Sequence, residues 1–341
     1  MRKVAFQRDG ILYVDNSTLT TLAQCPTRAM VRYGYNLKPS NWDAAPLQAG
    51  IAIHQAIETH YTGGRLEDVL DKLHEVYFDW ATANVNVDHR LSFRNVLECV
   101  ESWVLRNPVD NLPYTIPTPE HVEMPFDIQL HPKDPTIRFV GRIDALVGRK
   151  AGRQIESDYV DRDALYVLDT KSTGQPYGAF QKQFELSPQL SGYTWAAQHM
   201  FPDSHVVGCY INVVHTYLIP RQSGKCRKHG TSYDECRFLH PNHQLLGPIM
   251  RTRGELEEWR IDAYNLASTW QQLLKSQEGG KDLNQVPMFG KFVYNACALC
   301  ELLTFCRGGR RLDGFEFDVE EWIPSNLAEK FNVRGESDAP G

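Results

Sequence analysis

Apolar residues recur at helical spacing through the first part of the chain and at strand spacing through its middle. TLTTLAQC, residues 18–25, reads as a first helix, with Asn16 or Ser17 placed to cap it and Pro26 to end or kink it. LQAGIAIHQAIETHY, residues 47–61, reads as a second, with Ile53 and Ile57 on its apolar stripe and His54 one turn before Glu58 on a common face. Residues 65–106 continue the helical texture, with Leu, Val, Tyr, Phe and Trp at that spacing. The pattern then changes. PEHVEMPFDIQL, TIRFVGRIDALVG, ALYVLDTKS and HVVGCYINVVHTYL are β-rich runs bounded by turn residues. Between the last two lies SPQLSGYTWAAQHMF, where Ser187 and Pro188 form an N-cap and first-turn pair. Residues 254–276 read as a further amphipathic helix.

Helices, then strands, then a helix crossing to another strand, then helices: this order predicts an α/β fold with a mixed central sheet flanked by helices. With no repeat and no low-complexity linker, a single domain over residues 1–313 is expected. Residues 314–341 read as an acidic extension whose last stretch, GESDAPG, has the composition of a disordered end.

Composition narrows the setting. The chain has 341 residues, 42% hydrophobic and 23% charged, which describes an ordinary globular protein. No apolar run reaches membrane-spanning length, and MRKVAFQRDGILYVDNS lacks the apolar core of a secretory signal. The expected location is cytoplasmic, a virus-encoded protein in a host cytoplasm included. A net charge of −6 and a pI of about 6.1 give no broad basic footprint for nucleic acid. Carboxylate sites that bind divalent metals recover positive charge from the metal, and Arg28, Arg32, Arg307, Arg310 and Arg311 form local basic clusters.

The chemistry gathers where LYVLDTKSTGQ ends. Side chains at i and i+2 of a strand share a face, so Asp169 and Lys171 emerge side by side. A plain ion pair at a strand terminus has the same pattern. Asp144 closes FVGRID, the preceding strand, and two carboxylates at adjacent strand ends can hold Mg²⁺ or Mn²⁺. Lys171 can then stabilise charge on the phosphate, the Thr170 carbonyl can reach the metal, and His54 is a further ligand suited to Mn²⁺.

GIAIH, GRIDAL, LDTKS and QLSGY stand in the order of the motifs of the PD-(D/E)xK nucleases, and the chain resembles their RecB-like branch. The resemblance implies a restriction-endonuclease-like core over about residues 46–217. It implies metal ligands His54, Asp144 and Asp169, a catalytic Lys171, and Gln189 and Tyr193 as residues that contact DNA or orient the site. Glu58 and Glu123 are supporting acids near these motifs. The implied activity is a Mg²⁺- or Mn²⁺-dependent deoxyribonuclease, an exonuclease acting on single-stranded or free-ended DNA in repair, recombination, CRISPR adaptation or viral genome processing. No P-loop is present, so ATP-driven unwinding would come from a helicase or a recombination or adaptation partner. The competing reading is a catalytically silent DNA-end-binding or scaffold module, which has no need of the Asp144, Asp169 and Lys171 set.

Eight cysteines in a cytosolic chain point to metal more than to disulfides. Cys297, Cys300 and Cys306 form C-x2-C-x5-C, and Cys25 is the candidate fourth ligand. A [4Fe–4S] cluster or a Zn²⁺ ion held by the four would staple residues 17–35 to 287–307. The arrangement resembles the iron–sulfur nucleases of the AddB helicase–nuclease and of CRISPR adaptation, and that likeness favours the cluster. Cys226, His229, Cys236 and His240 offer a small zinc site or a solvated loop, while Cys99 and Cys209 read as buried packing residues.

Overall fold

The computed structural model describes residues 7–40, 45–84, 88–116, 118–149, 164–174, 180–216, 225, 230–232, 243–276, 283–292, 296–298, 300–312 and 315–319. The chain opens with β1 (Gln7–Arg8), β2 (Ile11–Val14), α1 (Asn16–Gln24), α2 (Pro26–Ala29) and β3 (Leu37–Pro39). Three longer helices follow: α3 (Ala45–Tyr61), α4 (Leu66–Ala83) and α5 (Phe93–Arg106). Then come β4 (Tyr114–Thr115), β5 (Val122–His131), β6 (Asp134–Arg149), β7 (Leu165–Thr173), α6 (Pro188–Met200), β8 (Val206–His215) and β9 (His243–Met250). The last described elements are α7 (Arg253–Ser276), α8 (Leu303–Arg307) and β10 (Phe317–Val319).

These elements form two compact units. The first draws on Met1–Trp42, Pro125–Arg142 and Arg253–Gly341, the second on Asp43–Met124 and Ile143–Thr252. In the first, β2 runs parallel to the opening half of β6, with Leu12 opposite Ile137 and Val14 opposite Phe139. β3 and β10 pair antiparallel, with Leu37 opposite Val319, so both ends of the chain enter this unit. The expected capping of α1 by Asn16 or Ser17 is corrected: the Asp15 carboxylate accepts the Thr18 N–H at 2.7 Å, one residue earlier. Cys25 is extended and ends α1, and Pro26 opens α2 at its first position, where no N–H is required.

The second unit carries the mixed sheet. β6 is antiparallel to β7, β7 is parallel to β8 and β8 is antiparallel to β9. The parallel pair needs a crossover, and α6 supplies it, with the Ser187 hydroxyl accepting from Leu190 N–H as its cap. The long helical stretch expected over residues 65–106 is two helices: α4 ends at Asn84, and Ser92 caps α5. Helices α3, α4 and α5 bury Ile53, Ile57, Leu73, Tyr77, Val100 and Trp103 with Ala145, Val147 and Leu168 of the sheet. On the other face, Cys209 of β8 meets Leu190 and Thr194 of α6. The α/β class and the helix-flanked mixed sheet are as expected. The strand-end placement of the acids is corrected. Asp144 lies inside β6, which continues to Arg149, and Asp169 and Lys171 lie inside β7. Cys226, His229, Cys236, His240 and the acidic terminus beyond Val319 lie outside the described residues.

Gly141 of the GRID motif owes its identity to packing. A Cβ there would fall 2.5 Å from the Phe126 ring, which is buried against Phe139 with ring centroids 5.1 Å apart. Gly141→Ala is therefore expected to destabilise the fold by about 1–3 kcal/mol through overpacking. Urea unfolding checks this, and a further Phe126→Leu change should recover part of the loss.

Candidate active site

Alternation along β7 separates the chemistry from the core. Leu168 belongs to the core cluster under α3–α5, so Asp169 and Lys171 project to the face that α6 covers. On β6, Ala145 pairs with Leu168 and shares its face, which puts Asp144 on the same side as Asp169. Neighbouring antiparallel strands thus present two carboxylates and an ammonium together.

The contacts are specific. Lys171 Nζ donates to Asp169 Oδ1 at 2.9 Å and lies 2.8 Å from Oδ2; the second approach is an ion pair without hydrogen-bond geometry. Asp169 is 1% exposed, whereas the Lys171 side chain keeps 25% of its surface. Asp144 Oδ2 accepts the Thr170 backbone N–H at 2.7 Å and lies 3.3 Å from His54 Nδ1 of α3. Glu123 completes the group. Among the described residues, His54, Glu123 and Asp144 are the one set of three metal-ligating side chains whose ligand atoms all lie within 4.8 Å of one another. Glu123 adopts φ 51°, a left-handed conformation that an L-residue with a side chain rarely holds. Backbone strain of this kind concentrates at ligand clamps.

Burial pushes the Asp169 carboxyl above its ordinary range, Lys171 opposes the shift and the Asp144 charge adds to it. Burial also works against the Lys171 ammonium, but Asp169 and Asp144 outweigh it and hold its pKa above the usual value. A buried cluster of carboxylates with one lysine is short of positive charge, and this donor set of imidazole and carboxylate oxygens fits Mg²⁺ or Mn²⁺.

Residues 16–307 match the family profile of the PD-(D/E)XK nucleases. The chain belongs to the PD-(D/E)XK nuclease superfamily. No protein of curated function matches the sequence. Membership in the superfamily implies a nuclease, a DNA substrate and a divalent metal.

Gln189 and Tyr193 lie one turn apart on α6, and Gln189 Nε2 donates to Tyr193 Oη at 3.2 Å. Glu58 and Asp169 stay outside this set of three, whereas Glu123 belongs to it. Nothing in VEMPF announces the backbone twist of Glu123; only its place one strand before GRID hints at the site. Among the described residues, no helix is long and apolar enough to cross a membrane.

The cysteines gather in the first unit. Cys25, Cys297, Cys300 and Cys306 line one pocket with Arg28 and Gly290. A Cβ on Gly290 would sit 3.5 Å from Cys25 Sγ and 3.6 Å from Cys297 Sγ, both ordinary van der Waals contacts, so this glycine lies beside both thiols. Burial, with the neighbouring thiols adding, pushes the Cys306 thiol up to about 11. These four do not form a set with ligand atoms within 4.8 Å of one another. Four sulfurs on one tetrahedral zinc, at Zn–S of about 2.3 Å, would be about 3.8 Å apart. Cys99 and Cys209 are buried, as expected of packing residues.

The site yields a direct expectation. Glu123→Gln and His54→Ala should each weaken Mn²⁺ binding by more than about tenfold, since even outer-shell changes have effects of that size. Calorimetric titration of the purified chain checks this, and an unaltered affinity in Glu123→Gln would remove Glu123 from the ligand set.

Proposed function

We propose that the chain is a Mg²⁺- or Mn²⁺-dependent deoxyribonuclease of the RecB-like branch, acting as an exonuclease. The observation that carries this reading is the meeting of His54, Glu123 and Asp144 beside the buried Asp169–Lys171 pair. His54, Glu123, Asp144, Asp169 and the Thr170 carbonyl would hold the metal. A bound divalent cation lowers the pKa of a coordinated water and neutralises charge on the phosphate. Water attacks phosphorus, one P–O ester bond breaks, and the departing oxygen takes a proton. Lys171 stays cationic next to two carboxylates, which suits it to stabilise the phosphate oxygens or orient the water. The Thr170 N–H fixes Asp144 through one oxygen and leaves the other available to a metal.

The family match spans segments of both units, which supports one nuclease domain over residues 1–313. Gln189 and Tyr193 offer an amide and an aromatic face on the helix that covers the site's side of the sheet. Stacking on such a ring contributes about 1–3 kcal/mol per base without demanding sequence, which favours single strands and free ends. Unwinding would then fall to a partner helicase. In the cysteine pocket, four cysteines lining one cavity suit a [4Fe–4S] cluster, with zinc as the alternative.

Two tests follow. Asp169→Ala and Lys171→Ala should each abolish cleavage of end-labelled single-stranded DNA, Asp169→Ala with loss of Mn²⁺ binding and Lys171→Ala without it. Near-normal cleavage by either variant would sink the enzyme reading in favour of a silent DNA-end-binding module. Rapid cutting of closed circles would overturn the exonuclease part alone. Separately, anaerobic purification should give a brown protein that Cys25→Ala or Cys300→Ala bleaches and lowers in thermal midpoint. A colourless, zinc-loaded wild type refutes the iron–sulfur assignment.

A further inference from the structure

Behind the reactive face of β7 lies a second polar group of residues, buried in the apolar cluster of the second unit. Thr170 lies between Asp169 and Lys171 and projects to the opposite face. Its cross-strand partner on β8 is Asn212. Asn212 Nδ2 donates to Thr170 Oγ1 at 3.4 Å and to Tyr61 Oη at 3.3 Å. Trp103 Nε1 donates to Asn212 Oδ1 at 3.1 Å. The hydroxyls of Tyr61 and Tyr114 share a hydrogen bond of 2.8 Å. Thr170, Asn212, Tyr61, Tyr114 and Trp103 are all buried.

A buried asparagine is costly unless its amide is satisfied, and here one side chain joins α3, α5, β7 and β8 in a single network. An apolar residue would fill the same space without that demand. The connection that distinguishes this network runs forward. The Thr170 side chain is held from behind, while its backbone N–H holds Asp144 Oδ2 in front at 2.7 Å. Movement of Thr170 would therefore carry the N–H that orients Asp144 and shift Asp169 and Lys171 on either side.

We infer that Asn212 is a positioning residue for the metal site: it locks Thr170 in β7 and, through the Thr170 N–H, sets the orientation of the Asp144 carboxylate. This rests on the metal-site reading proposed above. Asn212 touches neither substrate nor metal, and its effect belongs on metal affinity more than on the chemical step.

The experiment is Mn²⁺ titration of the full chain by calorimetry, paired with cleavage kinetics across Mn²⁺ concentrations. Asn212→Leu and Thr170→Val remove the amide and the hydroxyl while keeping similar bulk. Each should raise the Mn²⁺ dissociation constant by about 10–100-fold, the range typical of outer-shell changes. The Mn²⁺ concentration for half-maximal rate should rise in parallel, with kcat recovering at saturating metal. Thr170→Ser, which keeps the hydroxyl, should restore an affinity near wild type. Should Asn212→Leu fail to fold, the Thr170→Val and Thr170→Ser pair decides. Wild-type affinity in folded Thr170→Val overturns the positioning role. A wild type that binds no Mn²⁺, or whose affinity survives Asp144→Ala, overturns the metal site and this inference with it.

Discussion

The ion pair between Lys171 and Asp169 is the constraint around which the second unit is arranged. Taking a carboxylate and an ammonium out of water costs several kcal/mol per ion, and mutual attraction offsets that only when the remaining polar atoms find partners. Asp169 is held by a single lysine, and Asp144 adds a second negative charge nearby. An arrangement chosen for stability alone would replace the pair with packed apolar residues. The fold instead keeps two acids on one face with too little positive charge between them. That imbalance is the physical signature of a site completed by a cation.

Much of this was legible in the chain, because the signals were local. Period-two alternation in LYVLDTKS placed Asp169 and Lys171 on one face, and helical spacing placed Ile53 and Ile57 in the core with His54 beside them. The Ser187–Pro188 start of α6 is a purely local capping signal, and the helix begins there. Elements recognised only through partners escaped. β3 is a strand of three residues whose ladder forms with β10, and β2, of four residues, is held by the adjacent β1 on one side and by the distant β6 on the other; no periodicity shows in so short a run. β9 contains Gly247 and Pro248, which mask its strand character. Asp144 and Asp169 read as strand ends because acids in the middle of a strand look like turn formers unless the next strand is seen. The positive φ of Glu123 leaves no mark in its own stretch of sequence.

The cysteine pocket poses a different problem, that of bringing Cys25 to residues nearly three hundred positions further on. Loop closure of that length carries an entropic cost that grows only logarithmically, but something must still offset it. Protein contacts within the first unit already do so. Thr27 Oγ1 donates to the Pro287 carbonyl at 2.9 Å, Arg28 Nε pairs with Glu301 at 2.8 Å, and β3 pairs with β10. Burial and the neighbouring thiols keep Cys306 protonated well above neutrality.

The residues of GIAIH and GRID divide into two physical kinds. Gly141 is required by volume, because the Phe126 ring occupies the space that a Cβ would take. Gly50 is not: a Cβ there would meet Ser172 Oγ at 3.5 Å, an ordinary contact, so its motif position follows from something other than steric exclusion. Asp144, three residues after Gly141, is required by charge and by the Thr170 N–H it accepts. A single short motif thus combines a packing constraint in one compact unit with a chemical constraint in the other, and a change at either residue would act through different physics. Loss of Gly141 would act through packing, and loss of Asp144 through the charge it places beside Asp169 and Lys171. Thr170 stands between the two kinds. Its hydroxyl belongs to the buried network and its amide to the site, so the strand transmits core packing to the geometry of the carboxylates.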